Sequence, residues 1–178
     1  STRLLVMILC PRSWLPDAPH GPLNRALGDA NIELEQFPAD PLDRPHGSYH
    51  GFDVSAQMID VALERCAGLP ACEFSADRAA LPRAMYTVAS GIFNVKQDAS
   101  TDEWRAYVLD TIRDLASLST RGFAFNALSS YSDPERRRPD LYYADPLDLF
   151  DYCKRRVSRR VSLLHDTPLY EFTLLVKV

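Results

Sequence analysis

Apolar positions along this chain fall into short continuous or alternating runs, separated by stretches with helical spacing. Leu4 to Cys10, LLVMILC, is apolar throughout, which predicts a strand buried on both faces. A proline-rich loop follows, then a short helical candidate from Pro22 to Ala30. Ile32 to Phe37 alternates apolar and acidic residues, as a half-exposed or edge strand does, and Pro38 to Gly47 reads as a turn-rich linker. Ser48 to Asp53 predicts the next strand. Ser55 is a good N-cap for a helix whose apolar stripe is Met58, Ile59, Ala62 and Leu63.

The second half repeats the alternation. Ala71 to Ser75 and Tyr86 to Ser90 read as short strands. Ser100 with Glu103 forms a capping box for a long helix through about Ser117, with Trp104, Tyr107, Val108, Thr111, Ile112 and Leu115 at three-to-four spacing. Gly122 to Ala127 predicts a strand and Ser129 to Tyr143 a polar loop. Asp145-Pro146 opens a helix ending near Arg156. The tail VSLLHDTPLYEFTLLVKV reads as two strands around Asp166-Thr167-Pro168, a hairpin and therefore an antiparallel pair. Strands alternating with helices predict an α/β fold, a mostly parallel sheet covered on both faces, closed by one antiparallel strand. The expectation is a single domain over residues 1–178, in which 1–47 differ in character from 48–178.

Composition narrows the function classes. The chain has 178 residues, 46 % hydrophobic and 25 % charged, with a net charge of -4. That balance suits one globular core and argues against a nucleic-acid partner, which would usually show a basic face. The one basic run, Lys154-Arg155-Arg156 with Arg159-Arg160, fits a helix end, where cations complement the dipole. Cys10, Cys66, Cys72 and Cys153 form no CxxC pair and no zinc-like cluster, and read as reduced, small apolar residues of a cytoplasmic protein. His20, His46 and His50 have no ligand-like spacing, so no metal site is expected. No apolar run approaches the roughly 20 residues of a membrane span.

The candidate chemistry starts at Asp53. In a parallel α/β sheet, ligands bind beyond the carboxyl ends of the strands, and a carboxylate there can accept both hydroxyls of a ribose. Met58 and Ile59 on the next helix could supply an apolar wall for a base. Equally, Asp53 could cap the helix that follows.

The order GFDVSAQMI, CEFSAD, VASGIFNV, GFAFNALSSYSD, LYYADP and LLHD-x-x-LYEFT resembles the class I S-adenosylmethionine-dependent methyltransferases, in particular a bacterial subgroup found near sugar and polysaccharide genes. The resemblance covers Ser48 to Val178, roughly three quarters of the chain. It implies a Rossmann-like methyltransferase fold with a closing hairpin, S-adenosylmethionine as cofactor and a small-molecule substrate; charge and hydropathy leave no nucleic acid or membrane partner expected, and a homo-oligomer stays open. It further implies that Asp53 holds the ribose hydroxyls, that Phe52 and Met58 flank the adenine, that Asp77 lies near the adenine amine, and that Ser90, Gly91, Ile92, Phe93 and Asn94 line the pocket under the methionine moiety and the substrate.

Two departures stand out. The family's Gly-rich loop after the first strand is replaced by PRSWLPDAPHG, whose prolines fix φ and lack an N–H donor. Met85 stands where an acidic residue is usual. A diverged enzyme with a differently closed pocket, a relic fold with weak or lost cofactor binding, and a splice or frame change upstream of Ser48 each account for this. Methyl transfer to a hydroxyl needs a base, and His165 beside Asp166, at the turn after a C-terminal strand, is the best candidate; the other reading is a histidine that bonds the turn backbone. Asn94 and Asn126 could orient a substrate hydroxyl or the cofactor amine, or cap loops. Tyr131, Tyr142 and Tyr143 could cover the site or pack into the core. The expected function is methylation of a small molecule, a sugar or a biosynthetic intermediate. The alternative is a degenerate methyltransferase-fold protein serving as a binding or scaffold module. A nicotinamide dehydrogenase would also need the glycine fingerprint.

Overall fold

A computed structural model describes residues 2–8, 47–68, 72–166 and 170–178, the first stretch by its backbone alone. Cys10, the helix expected at Pro22 to Ala30, the strand expected at Ile32 to Phe37, the linker before Gly47 and the proline-rich loop lie outside the described residues. Among the described residues, seven strands form one sheet: β1 (Thr2–Ile8), β2 (Gly47–Phe52), β3 (Cys72–Ser75), β4 (Ala84–Ser90), β5 (Ser119–Leu128), β6 (Arg160–Leu164) and β7 (Glu171–Lys177). Their order is β3-β2-β1-β4-β5-β7-β6, with β7 alone running against its neighbours. This is the α/β sheet with an antiparallel hairpin strand that the sequence predicts.

Three α-helices are described. Helix α1 (Ala56–Arg65) is capped by Ser55, whose side chain accepts from the Met58 N–H. Ala62 is buried on it, while Leu63, expected on the apolar stripe, is 49 % exposed. Helix α2 (Thr101–Leu118) opens on the expected capping box: the Glu103 N–H donates to the Ser100 hydroxyl, and the Ser100 N–H donates back to the Glu103 carboxylate. Helix α3 (Pro146–Arg156) has Asp145 at its N-cap and Pro146 in its first turn. Val108, Ile112 and Leu115 of α2 and Leu149 and Cys153 of α3 bury one sheet face, which contributes Ala89, Phe123, Phe125, Leu174 and Val176. Burial pushes the Cys153 thiol up to about 12, so it behaves as a small apolar side chain.

Strand β5 begins earlier than its hydrophobic pattern suggests, at Ser119, the residue that also caps α2. The helix passes into the strand without a loop because Ser119 satisfies the helix end twice. Its N–H and its hydroxyl both donate to the Leu115 carbonyl, the latter at 2.7 Å. The Thr87 hydroxyl of β4 meets the Ser119 hydroxyl at 2.7 Å, tying β4, α2 and β5 together inside the core.

Candidate functional site

Strand order places the sheet's topological switch point between β1, from which the chain winds toward β3, and β4, from which it winds toward β6. Ligands of such sheets bind in the crevice at the carboxyl ends of those strands. Asp53 directly follows β2, one strand from the switch point. Ser90 ends β4, pairs with Ile8 at the end of β1, and is followed by Gly91. Two strand spacings, about 10 Å, separate the ends of β2 and β4.

Asp53 is buried, 4 % exposed, and its Oδ1 accepts the Ser55 N–H at 2.7 Å. It therefore fixes the chain's turn into α1, the capping role the sequence left open for it. A carboxylate has room for about four such bonds. Gly91 has φ of 72°, the left-handed region, which suits glycine because a Cβ there would crowd its own backbone. That conformation turns the chain sharply at the carboxyl end of β4, while Ser90 and Gly91 stay half-buried. Met58 lies in the first turn of α1, half-buried. Asp77 follows β3, is exposed, and accepts the Ala79 N–H at 2.9 Å as the cap of a short 3₁₀ turn at Arg78–Ala80.

Two aromatic residues expected at the pocket are buried in the core. Phe93 is completely buried, edge-on to Phe125 at 5.4 Å and to Tyr107 at 6.3 Å, and Ile92 is 3 % exposed. These side chains anchor the turn after β4 into the core and have almost no surface for a ligand to touch. Phe52 is likewise a core residue, 6 % exposed. The physical reason is the strand's period of two: Phe52 and Asp53 are consecutive in extended chain, so the phenylalanine takes the sheet face on which Ala89 of β4 joins the core.

The asparagines are also committed. The Gly91 N–H donates to Asn126 Oδ1 at 2.7 Å, and the Leu128 N–H donates to Asn94 Oδ1 at 3.1 Å. Asn126 Nδ2 donates to Glu171 Oε2 at 3.0 Å, and Asn94 Nδ2 to Glu171 Oε1 at 3.2 Å. Asn94, singled out for catalysis, thus ties the turn after β4 to the ends of β5 and β7. Glu171, the first residue of β7, was not singled out. Its signal is present in the sequence, a lone acidic residue opening the apolar strand EFTLLVKV, but its place depends on antiparallel pairing with β5, where it sits opposite Leu128.

His165 follows β6 on the same carboxyl edge, exposed, with its ring 5.8 Å from Tyr131 and 6.1 Å from Phe172. Five strand spacings, about 24 Å across the sheet, separate the end of β6 from that of β2. Tyr131 is 66 % exposed, whereas Tyr142 is buried beside α2 and α3. Among the described residues no group of three or more His, Cys, Asp or Glu could hold a metal ion, and no helix is long and apolar enough to cross a membrane.

No protein-family model matches the sequence. A protein of Mycobacterium tuberculosis (strain ATCC 25618 / H37Rv), named "Putative methyltransferase Rv1506c", is 50 % identical over 129 residues, covering 72 % of this chain and 78 % of that one. The chain belongs to the class I S-adenosylmethionine-dependent methyltransferases. Solved structures agree on the fold. Magnesium protoporphyrin IX methyltransferase of Synechocystis PCC 6803, with bound SAH, superposes with a TM-score of 0.54 at 17 % identity, over 99 % of this chain and 74 % of that one. An Aquifex aeolicus SAM-dependent methyltransferase gives 0.55 at 11 % identity, over 98 % and 81 %. Both likenesses carry the fold alone. The family member described here departs from the usual motif in the sequence between β1 and β2, where no Gly-rich loop is found.

Proposed function

We propose that this chain transfers a methyl group from S-adenosylmethionine to a small molecule, a sugar or a biosynthetic intermediate. One observation carries the reading: the Asp53 carboxylate at the end of β2 and the left-handed Gly91 at the end of β4 flank the switch point about 10 Å apart, the span of a nucleoside joined to an amino-acid chain. When bound, the cofactor supplies an electrophilic methyl on a sulfonium. Asp53 accepts the ribose hydroxyls while it holds the Ser55 N–H. Met58 packs against the adenine, with Asp77 near its amine. Ser90 and Gly91 form the floor below the methionine portion, and Phe52 and Phe93 back that floor from the core. The acceptor must align with the methyl, and its proton must leave when it is a hydroxyl. His165 and the exposed Tyr131 stand toward the acceptor side of the edge. His165→Ala with undiminished turnover would remove the histidine from the proton-transfer role.

A second reading, a binding or scaffold module on the same fold, is favoured by the deep burial of Asp53 and by the missing Gly-rich motif. Calorimetric titration with S-adenosylmethionine and its demethylated product separates the two. The enzyme reading expects micromolar binding, weakened about tenfold or more in Asp53→Asn, which keeps an oxygen for the Ser55 N–H but loses the charge. A folded protein that binds neither ligand at millimolar concentration would leave the scaffold reading.

A further inference from the structure

Glu171 stands at the start of β7, which runs antiparallel, so its first residue lies at the carboxyl edge of β4 and β5. Its two carboxylate oxygens accept from two different side-chain amides, Asn94 Nδ2 and Asn126 Nδ2. The amide orientations follow from the other ends of the network. The Leu128 and Gly91 N–H groups are donors, so oxygens must face them and nitrogens must face Glu171. The two asparagines each link the carboxylate to one of those backbone groups. One arm reaches Gly91, the left-handed turn that ends β4. The other reaches Asn94, three residues on in the same turn, whose carbonyl also accepts from the Tyr142 N–H at 2.9 Å.

We infer that Glu171 is a positioning residue for the cofactor pocket: through Asn126 and Asn94 it sets the conformation of the Ser90–Asn94 turn that forms the floor under the methionine portion of S-adenosylmethionine. The inference rests on the cofactor reading above and adds to the site a residue on β7, the hairpin strand that pairs with β5. Core packing of Ile92 and Phe93 fixes where the turn is anchored, while the polar network fixes how the backbone between the anchors is oriented. A charged acceptor bonded to two amides holds that orientation more stiffly than neutral bonds would.

The donor and acceptor pattern provides the test. Glu171→Gln replaces one accepting oxygen by an NH₂ group, which then faces an asparagine NH₂. Adding Asn126→Asp reverses one bond: the new carboxylate accepts from both the Gly91 N–H and the glutamine amide, so every bond is restored and only the one between residues 171 and 126 changes direction. The measurements are affinity for the demethylated cofactor product by calorimetry and amide hydrogen exchange at Gly91 and Leu128. The inference expects Glu171→Gln to weaken binding about tenfold and to speed exchange at both amides, and the double variant to recover affinity and protection. If Glu171→Gln does not fold, the double variant decides alone, and is expected to fold and to bind. Unchanged affinity in a folded Glu171→Gln, or a double variant that regains stability but not affinity, would overturn the inference while leaving the cofactor reading intact. Failure of the wild-type chain to bind would overturn that reading first, and this inference with it.

Discussion

A carboxylate beside an apolar strand is costly unless its oxygens are bonded, and two such residues frame this site. Asp53 is legible in the sequence because it ends a strand and is followed at once by a helix cap, both local signals. Glu171 is not legible in that way, since its partners Asn94 and Asn126 are 77 and 45 residues distant and meet it only after the hairpin pairs with β5. Asn94 was visible as a polar residue after a strand, but whether it faces a ligand or the chain depends on that same distant partner. Phe93 shows the opposite limit: a motif places it near the pocket, while its side chain belongs to the core. Phe93→Ala is therefore expected to cost about 3–5 kcal/mol of stability, measured by denaturant unfolding, the cost of a buried aromatic and not that of a pocket wall. A loss under 1 kcal/mol would return Phe93 to the pocket surface.

At the scale of elements, helix starts were the most legible feature, because caps are short-range chemistry. The Ser100–Glu103 box is present as read, and the Ser100 bonds hold the Glu103 carboxyl below its ordinary range. A depressed acid contributes stability above its unfolded pKa and loses it as pH falls through the folded value. Ser100→Ala should thus lower Tm by about 3 °C near neutral pH, and this gap should narrow in acid, as the carboxylate takes up its proton below its ordinary range. A gap independent of pH would detach Glu103 from the cap. Strand ends were less legible. Strand β5 starts three residues before Gly122, in a segment whose polar Thr120 and Arg121 hide the strand. Gly122 itself has a packing reason: a Cβ there would lie 2.6 Å from the Val176 carbonyl oxygen of β7. That carbonyl belongs to the paired backbone and cannot swing aside. Gly122→Ala is expected to destabilise by about 2 kcal/mol, read from the denaturant midpoint; a neutral result would mean that the β5–β7 pairing yields there.

At the scale of the whole molecule, the alternation of apolar runs and helical spacing was enough to predict a parallel sheet with one antiparallel strand. The order of strands was not derivable from periodicity, which is blind to neighbours. Strand pairing supplies it. That order brings Asp53 and Gly91 to either side of the switch point and carries His165 to the far edge. Two residues that look equally promising along the chain thus stand about 24 Å apart across the sheet. The central claim is that S-adenosylmethionine binds at the switch point although the Gly-rich motif is missing. The most direct test is to follow backbone amide resonances of the ¹⁵N-labelled chain during titration with the demethylated cofactor product. The account predicts saturable shifts centred on Asp53, Ser55, Met58 and Gly91, with His165 unaffected. Shifts confined to the β6–β7 edge, or none at millimolar ligand, would contradict it.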